Sequence, residues 1–330
     1  MAGTKEQLLD LLEQNRGQYI SGEEAAKRLN ISRAAVWKGI QGLRNEGYQV
    51  NAVQNRGYSL SEETDILSAQ GIGRYLQPSC SSLKLEVFRE TGSTNNLLRE
   101  KAAAGAPEGT VVAAVSQTEG KGRLGRRFFS PADTGVYLSL LLRPDTWLPE
   151  QAVHITTMAA VAACEAIEAL GERTARIKWV NDIFMDGRKV SGILTEASMG
   201  LESGRLDYVV LGIGFNAYAP EGGFPPEIGE IAGAVFPERQ NDGKNRLAAE
   251  FLNRFMVYYR AGAEGSYVEK YRKRSLVIGK EVLVLKQGRK RKAKALDVDR
   301  DCHLLVEYED GEREELSSGE ISVRLTRTEQ

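Results

Sequence analysis

Residues 120–127 combine three glycines with four cations between two apolar, strand-like runs. The stretch is Gly-Lys-Gly-Arg-Leu-Gly-Arg-Arg, and the apolar runs are 111–115 and 136–142. Such runs indicate buried strands, so the stretch is predicted to be a loop at the edge of a sheet. Glycine lets the backbone adopt positive φ and approach a ligand closely. A basic, flexible loop at a strand end is suited to closing over an anion.

The same stretch matches the G-x-G-x-x-G pattern of dinucleotide-binding proteins, but its surroundings exclude that fold. Residues 126–131 have no helical period, and Pro131 with Gly135 stops a helix before it can form. The dinucleotide fold needs a helix N-terminus here to bind the pyrophosphate. The sequence also lacks a G-x-x-x-x-G-K-[ST] phosphate-binding loop. We therefore expect a cationic lid that is mobile when empty and is ordered by its ligand.

Hydrophobic patterning predicts three domains, at residues 1–64, 65–275 and 276–330. The 330 residues are enough for several hydrophobic cores. Because 44 basic residues nearly balance 45 acidic ones, no strong overall electrostatic field is predicted. Three widely spaced cysteines are typical of a reducing compartment. The sequence shows no signal peptide and no apolar run near the ~18 residues of a membrane span. We therefore expect a cytoplasmic protein with no membrane partner.

Residues 1–64 are predicted to form a winged helix-turn-helix domain that binds DNA. A leucine-rich helix, a helix opened by a Ser21–Glu24 capping box, a helix at 33–45 and a hairpin at 48–60 follow in that order. The side of the third helix away from its apolar stripe offers small, amide and cationic side chains for bases and phosphates. The expected DNA contacts are Arg33, Ala34, Trp37, Lys38, Gln41, Arg44 and, at the hairpin tip, Arg56.

The alternative for this domain is a protein-interaction module. Over residues 1–61, eight basic residues barely exceed six acidic ones. So small a binding face would need a dimer on two half-sites to bind DNA usefully.

Residues 65–275 are predicted to form an α+β domain on a mixed sheet. Most of the expected strands follow one another without an intervening helix, which favours a mixed sheet over regular βαβ winding. The expected strands are 83–88, 111–117, 136–142, 177–180, 193–196 and 208–213. Long helices are expected at 151–170 and 245–260, and Asp186-Gly187 predicts a hairpin turn.

Two polar stretches in this domain are candidates for chemistry. Lys178, between Ile177 and Trp179, could neutralise a substrate carboxylate or phosphate, and Asn181 or Asp182 could position a ribose or a metal-bound phosphate. The alternative is an edge-strand lysine that extends past Trp179 into solvent. Ser93-Thr94-Asn95 suits a polar, uncharged ligand group, and its alternative is a simple helix N-cap.

The two histidines, His154 and His303, argue against two common enzyme classes. Neither pairs in the sequence with a serine or cysteine nucleophile or with zinc-ligand spacing, so a Ser-His-Asp hydrolase and a histidine-ligated zinc enzyme are poorly supported. What remains is catalysis by positioning and charge stabilisation, and nucleotidyl transfer fits it.

Residues 276–330 are predicted to form a small SH3-like β barrel. Short apolar runs alternate with glycine turns at hairpin spacing. The basic run 289–292 lacks interleaved aromatic residues, so we interpret it as a solvated hairpin rather than a nucleic-acid site.

Four motifs together resemble those of the biotin–protein ligases that also act as biotin operon repressors. The motifs are Gly92-Ser93-Thr94-Asn95, Gly120 to Arg126, Lys178 to Asp182, and Gly212-Ile213-Gly214-Phe215-Asn216, in that family's order and spacing. The resemblance covers essentially the whole chain. It implies an SH3-like C-terminal domain that assists ATP and carrier-protein binding.

The resemblance implies formation of biotinyl-5′-adenylate from biotin and Mg²⁺·ATP, followed by transfer to a lysine of the biotin carboxyl carrier protein. Biotin contacts would be Ser93, Thr94, Asn95, Gln117, Lys121, Gly122, Arg123 and Lys178, with Lys178 and Arg123 as catalytic cations. Adenylate contacts would be Arg123, Arg126, Phe128, Asn181 and Asn216. No metal would be held by the protein itself, since Mg²⁺ arrives with ATP.

The resemblance also implies operator DNA as a partner and a ligand-promoted homodimer. Two positions depart from the family: Val180 stands where proline is common, and Lys121 where arginine is frequent. A lysine supplies charge without a bidentate fork. The alternatives are a lipoate–protein ligase and a biotin-sensing transcription factor without ligase turnover.

Overall fold

The computed structural model describes residues 3–325 apart from 145, 172, 201–203, 263–264, 287–288 and 318–320, and the backbone alone of 321–325. Residues 1–2 and 326–330 of the two predicted terminal domains lie outside this range.

The N-terminal domain has the predicted element order of a winged helix-turn-helix. Its elements are α1 (Thr4–Gln14), α2 (Gly22–Leu29), α3 (Arg33–Asn45), β1 (Val50–Val53) and β2 (Gly57–Leu60). Ser21 and Ser32 cap α2 and α3 by accepting the backbone N–H groups of Glu24 and Ala35. The predicted capping box is only half formed, because the Glu24 side chain pairs with Arg28 instead.

The three helices and the hairpin close around one apolar cluster. The predicted α3 stripe of Val36, Ile40 and Leu43 is fully buried, and it packs with the leucines of α1 and with Leu60. The hairpin is held against the helices at Gly57, whose φ is +101° and where a Cβ would lie 2.1 Å from the Ile20 carbonyl oxygen. Only glycine fits this position.

The segment between the first two domains is bound to both of them. Thr64, Leu67 and Ser68 are buried, and α4 (Ala69–Tyr75) begins with Ser68 as its N-cap.

The central domain is built on the predicted mixed sheet. Its elements in chain order are β3 (Lys84–Thr91), α5 (Thr94–Ala103), β4 (Thr110–Gln117), β5 (Gly135–Leu142), α6 (Ala152–Leu170), β6 (Arg176–Lys178), β7 (Asp182–Met185), β8 (Arg188–Met199), β9 (Leu206–Asn216), α7 (Pro226–Gly229), α8 (Gly243–Ala261) and α9 (Tyr267–Arg274). The strand order is β3-β4-β5-β9-β8-β7-β6, and β3 with β4 is the parallel pair.

Helices cover both faces of this sheet because its strands are apolar on both sides. Val112, Leu141 and Val210 pack with α5. Their neighbours in the same strands point to the opposite face and join a larger core with α6 and α8. The helix at Pro149–Leu170 is long and apolar enough to span a membrane, but 78% of its most apolar window is buried in this core.

The C-terminal domain is a five-stranded antiparallel sheet, and the predicted closed barrel is not confirmed. Its strands are β10 (Glu281–Lys286), β11 (Arg289–Val298), β12 (Leu304–Tyr308), β13 (Arg313–Leu316) and β14 (Ile321–Leu325), in the order β13-β12-β11-β10-β14. A barrel would require β13 and β14 to pair, and the described residues contain no such pairing. The basic run 289–292 lies on β11 with mostly exposed side chains.

Candidate active site

The predicted motifs of the central domain meet around one cavity of about 160 Å³. It is bounded by the glycine loop after β4, the start of α5, the β6–β7 turn and the middle of β8 and β9. The predicted site residues among its lining are Ser93, Thr94, Asn95, Gln117, Lys121, Gly122, Arg123, Arg126, Phe128, Lys178 and Asn181. Side chains spread over 90 residues of sequence therefore share one site.

One end of the cavity is neutral and internally hydrogen-bonded. The backbone N–H and the hydroxyl of Thr94 both donate to Gln117 Oε1, at 2.9 and 3.1 Å. Gln117 Nε2 donates to Ser130 Oγ at 3.0 Å. Ser93 occupies the N-cap position of α5, but its side chain makes no capping hydrogen bond. Ser93 is therefore an N-cap residue by position but not through its side chain, and it also lines the cavity.

The glycine loop folds back on itself over the cavity. Gly122 N–H donates to the Arg126 carbonyl at 2.7 Å, and Phe128 N–H donates to the Gly120 carbonyl at 2.9 Å. A Cβ on Gly120 would lie 2.4 Å from the Phe128 carbonyl oxygen, so glycine is required there. Lys121 is exposed and donates to Asn96 Oδ1 at 2.7 Å. Whether this loop is mobile without ligand stays a prediction.

Phe128 anchors the end of the loop to the sheet. Its ring is half-buried over Gly214, where a Cβ would lie 2.5 Å from the ring. The ring also meets Tyr137 edge to face, with centroids 6.3 Å apart. The second glycine of Gly212-Ile213-Gly214 therefore makes room for an aromatic side chain.

The other end of the cavity is cationic, and Arg123 is its least satisfied group. Arg123 Nη1 donates to Asn181 Oδ1 at 3.2 Å, whereas Nη2 is buried and has no hydrogen-bond partner among the described residues. Burial lowers the pKa of Arg123, and the nearby Asp182 carboxylate offsets this only in part. A buried donor without an acceptor is costly, so this nitrogen is suited to a ligand oxygen.

Two lysines join Arg123 at this end. Lys178 is half-buried, and its Nζ lies 5.8 Å from the centroid of the Phe184 ring. Lys189 was missed in the sequence although it lies in the cavity wall, with Nζ 2.6 Å from Asp182 Oδ1. The hairpin turn at Asp186-Gly187, with φ values of 48° and 75°, brings β7 and β8 together, so that Lys189 on β8 reaches Asp182 on β7.

Contacts from the last third of the chain hold the Lys178 motif in place. Trp179 Nε1 donates to the Cys302 carbonyl of the C-terminal domain at 3.1 Å. The hydroxyl of Tyr271 donates to the Val180 carbonyl at 3.1 Å. The peptide bond between Trp179 and Val180 is cis.

Asn216 does not line the cavity. Its Nδ2 donates to the Gly233 carbonyl at 3.0 Å and lies 3.4 Å from the Lys189 carbonyl. The described residues that could together hold a metal ion, Asp299, His303 and Glu315, belong to the C-terminal domain and also lie outside the cavity wall.

The predicted DNA-binding residues share the outer side of α3 and the hairpin. Arg33, Ala34 and Lys38 are exposed, and Trp37 is 58% exposed although it is large and apolar. Gln41 is half-buried. Arg44 is held inward, because its guanidinium donates to the Val50 carbonyl at 3.0 and 2.6 Å. The Arg56 guanidinium lies 4.6 Å from the centroid of the Tyr19 ring.

Three family models match the chain in the order of its domains. Residues 4–59 match a helix-turn-helix domain, 87–216 the biotin/lipoate A/B protein ligase family, and 277–324 the biotin protein ligase C-terminal domain. The fold and site therefore define a ligase of the biotin/lipoate class that carries an N-terminal helix-turn-helix domain.

Individual relatives narrow this class. The chain is 40% identical over 228 residues to the bifunctional ligase/repressor BirA of Bacillus subtilis (strain 168), covering 69% of each chain. It is 34% identical over 200 residues to BirA of Escherichia coli (strain K12), covering 61% of this chain and 60% of that one. A structure of biotin protein ligase from Aquifex aeolicus in complex with biotin and ATP matches with a TM-score of 0.63 at 29% identity, over 74% of this chain and 99% of that one. The chain belongs to the family of bifunctional biotin–protein ligases and repressors.

Proposed function

We propose that this protein activates biotin with ATP and transfers it to a lysine of the biotin carboxyl carrier protein of acetyl-CoA carboxylase. The observation that carries the proposal is one cavity wall that combines neutral hydrogen-bonding groups with cations. Thr94 and Gln117 supply the neutral groups, and Arg123 supplies an unsatisfied cationic donor. Biotin carries a partner for each kind of group, because its ureido ring is neutral and polar and its carboxylate is anionic.

In the first half-reaction, a carboxylate oxygen of biotin attacks the α-phosphorus of Mg²⁺·ATP, and pyrophosphate leaves. Arg123, Lys178 and Lys189 are proposed to stabilise the negative charge on the reacting oxygens, and their place in the cavity wall supports this role. Arg126, Phe128 and Asn181 are proposed on the adenylate side. Asn216 would act on the site indirectly, since it binds the backbone of Lys189.

In the second half-reaction, the lysine amine of the carrier protein attacks the acyl carbon of the mixed anhydride, and AMP leaves. The glycine loop is proposed to cover the intermediate, because exclusion of water protects an acyl-adenylate from hydrolysis. Its position over the cavity supports this role.

The ligase proposal is tested by incubating the protein with the carrier domain, Mg²⁺·ATP and either biotin or lipoate. We expect biotinylation of one carrier lysine and rejection of lipoate, whose dithiolane ring cannot pair with the polar end of the cavity. Lys178→Ala should lose more of its adenylate synthesis than of its biotin affinity. A carrier lysine left unmodified by biotin, or modified by lipoate instead, would contradict the proposal.

We further propose that the N-terminal domain represses biotin genes by binding operator DNA as a ligand-promoted homodimer in the cytoplasm. The support lies in the exposed α3 face of Arg33, Ala34, Trp37 and Lys38. Paired half-sites would compensate for the few phosphate contacts that one domain offers.

Mobility-shift and sedimentation measurements with and without biotin and ATP test this second activity. We expect tighter operator binding and a doubled mass with both ligands present. Arg33→Glu/Lys38→Glu should abolish DNA binding without affecting biotinylation. Unchanged mass on addition of ligands would contradict the dimer, and operator binding by the double variant would contradict the assignment of the α3 face.

A further inference from the structure

The side chain of Asn95 uses its polar atoms on the protein rather than on the cavity. Its Nδ2 donates to Glu196 Oε2 at 2.7 Å and lies 3.3 Å from the Leu194 carbonyl oxygen. Its Oδ1 lies 2.6 Å from Ser139 Oγ. Asn95 is only 4% exposed. Its amide therefore joins α5 to β5 on one side and to β8 on the other.

The strand between β5 and β8 must carry a glycine for this arrangement. The two strands flank β9 in the sheet, and Gly212 of β9 pairs with both Ser139 and Leu194. A Cβ on Gly212 would lie 2.1 Å from Asn95 Oδ1, which is shorter than any real contact. Because the first glycine of Gly212-Ile213-Gly214 has no side chain, it leaves space for the Asn95 amide to lie over β9 between β5 and β8.

The orientation of the amide follows from its partners. Glu196 is also paired with Arg99 at 3.1 Å, and an ionised carboxylate only accepts hydrogen bonds, so the NH₂ group of Asn95 must face it. The carbonyl group then faces Ser139, whose hydroxyl can donate. Both partners of Asn95 themselves lie outside the cavity motifs.

We propose that Ser139 and Glu196 clamp Asn95, and that all three are positioning residues for the neutral end of the ligand. This changes the prediction from the resemblance, in which Asn95 contacts biotin directly. The clamp continues into the cavity, because the single hydroxyl proton of Ser139 is shared between Asn95 Oδ1 and Thr94 Oγ1, which lies 2.9 Å from Ser139 Oγ. The Thr94 hydroxyl in turn donates to Gln117.

The result of the clamp is a fixed orientation of the Gln117 amide. Its Oε1 accepts two hydrogen bonds from Thr94, so its NH₂ group must face Ser130. That group carries a second N–H. Because Gln117 lines the cavity, this N–H is suited to a neutral carbonyl of the ligand. The inference rests on the proposed function, since biotin is the ligand whose ureido group would be positioned.

The test compares two buried Ser→Ala changes in the same sheet of the full-length protein. Ser139 and Ser191 are both 0% exposed, but the Ser191 hydroxyl has no hydrogen-bond partner among the described residues. We expect Ser139→Ala to raise the KM for biotin about tenfold. The KM for ATP and kcat should change by less than about twofold, since the cationic end is untouched. Ser191→Ala should leave all three constants unchanged.

A compensating pair separates positioning from general destabilisation. Asn95→Asp places a carboxylate against Glu196 and should raise the KM for biotin more than Ser139→Ala does. Adding Glu196→Gln supplies an NH₂ donor to the new carboxylate and should recover most of the loss.

The outcomes distinguish this inference from the proposed function. Wild-type protein that fails to biotinylate the carrier contradicts the proposed function. If the wild type is active and Ser139→Ala has the same KM for biotin as Ser191→Ala, the clamp is contradicted while the proposed function stands. The clamp is also contradicted if the double variant Asn95→Asp/Glu196→Gln has the same KM for biotin as Asn95→Asp at an equal melting temperature.

Discussion

Arg16 and Arg123 are both drawn into the protein, but their surroundings differ. Each nitrogen of the Arg16 guanidinium has an acceptor: Nε and Nη2 bind Glu13 at 2.9 and 2.8 Å, and Nη1 binds the Thr64 carbonyl at 2.8 Å. Nη2 also pairs with Asp242 of the central domain at 3.2 Å. Arg123 has one hydrogen bond, to Asn181, and a buried Nη2 without a partner among the described residues.

The pKa shifts of the two arginines follow the same contrast. Burial acts to lower the pKa of Arg16, but the hydrogen bond and charge of Glu13 and the charge of Asp242 together raise it. Burial also lowers the pKa of Arg123, and there Asp182 does not compensate. Arg16, a buried cation with all its hydrogen-bond partners, therefore joins two domains. Arg123, which lacks a partner for one buried nitrogen, is suited to an anionic ligand.

Among the variants that test this contrast, Arg123→Met should show the largest effect. We expect it to lower the activity without lowering the stability. Loss of a preorganised cation at the reacting oxygens should reduce adenylate synthesis about 10²- to 10³-fold. The free energy of unfolding should stay the same or rise, because an unsatisfied buried donor is removed. Pyrophosphate release and denaturant unfolding measure the two quantities. Arg89→Met, an exposed change on β3 outside the cavity wall, is the control. A destabilised Arg123→Met would contradict the interpretation.

Arg16→Met should have the opposite profile. It leaves the carboxylates of Glu13 and Asp242 buried without their cation, and their side chains are only 1% and 2% exposed. We expect a loss of about 3–5 kcal/mol of stability and faster proteolysis between residues 62 and 68, with near-normal turnover in the folded fraction. Arg28→Met removes an exposed ion pair with Glu24 and should cost less than about 1 kcal/mol. Equal losses for the two variants would show that the buried network is not needed at the junction.

His154 should produce a smaller, pH-dependent effect where α6 meets the C-terminal domain, since its Nδ1 lies 3.9 Å from Cys302 Sγ. Burial lowers its pKa in the folded state, where Nδ1 contacts the Tyr267 hydroxyl. Below the unfolded pKa of about 6.5, the unfolded chain binds the proton more readily, so stability falls as the pH falls through this range. His154→Gln should flatten that part of the stability curve, as followed by thermal melts between pH 5 and 8. Parallel curves for wild type and variant would exclude His154 as the cause.

Local chemistry made much of the fold predictable. Ser21 caps α2 as expected, the Asp186-Gly187 turn forms the expected hairpin, and the apolar stripe of α3 is buried. These features depend on residues a few positions apart. The predicted barrel is not confirmed, because closure depends on pairing between two edge strands, which strand propensity does not specify.

The candidate site was only partly predictable for a similar reason. Its motifs carry glycines and cations in dense groups, which mark them in the sequence. Ser139 and Glu196 stand in ordinary strands, 44 and 101 residues from Asn95, and no local pattern distinguishes them. Lys189 was missed because it follows a turn that was interpreted only as a hairpin.

The sequence alone determined the order of the main elements and the dense motifs that carry the family resemblance. Only the tertiary structure decided that Arg16 is satisfied while Arg123 is not, and that Asn95 faces the sheet. Propensity and capping act over one or two turns of chain. The partners of a buried charge or amide come instead from strands and helices brought together by folding, and strand order and packing set which of them meet.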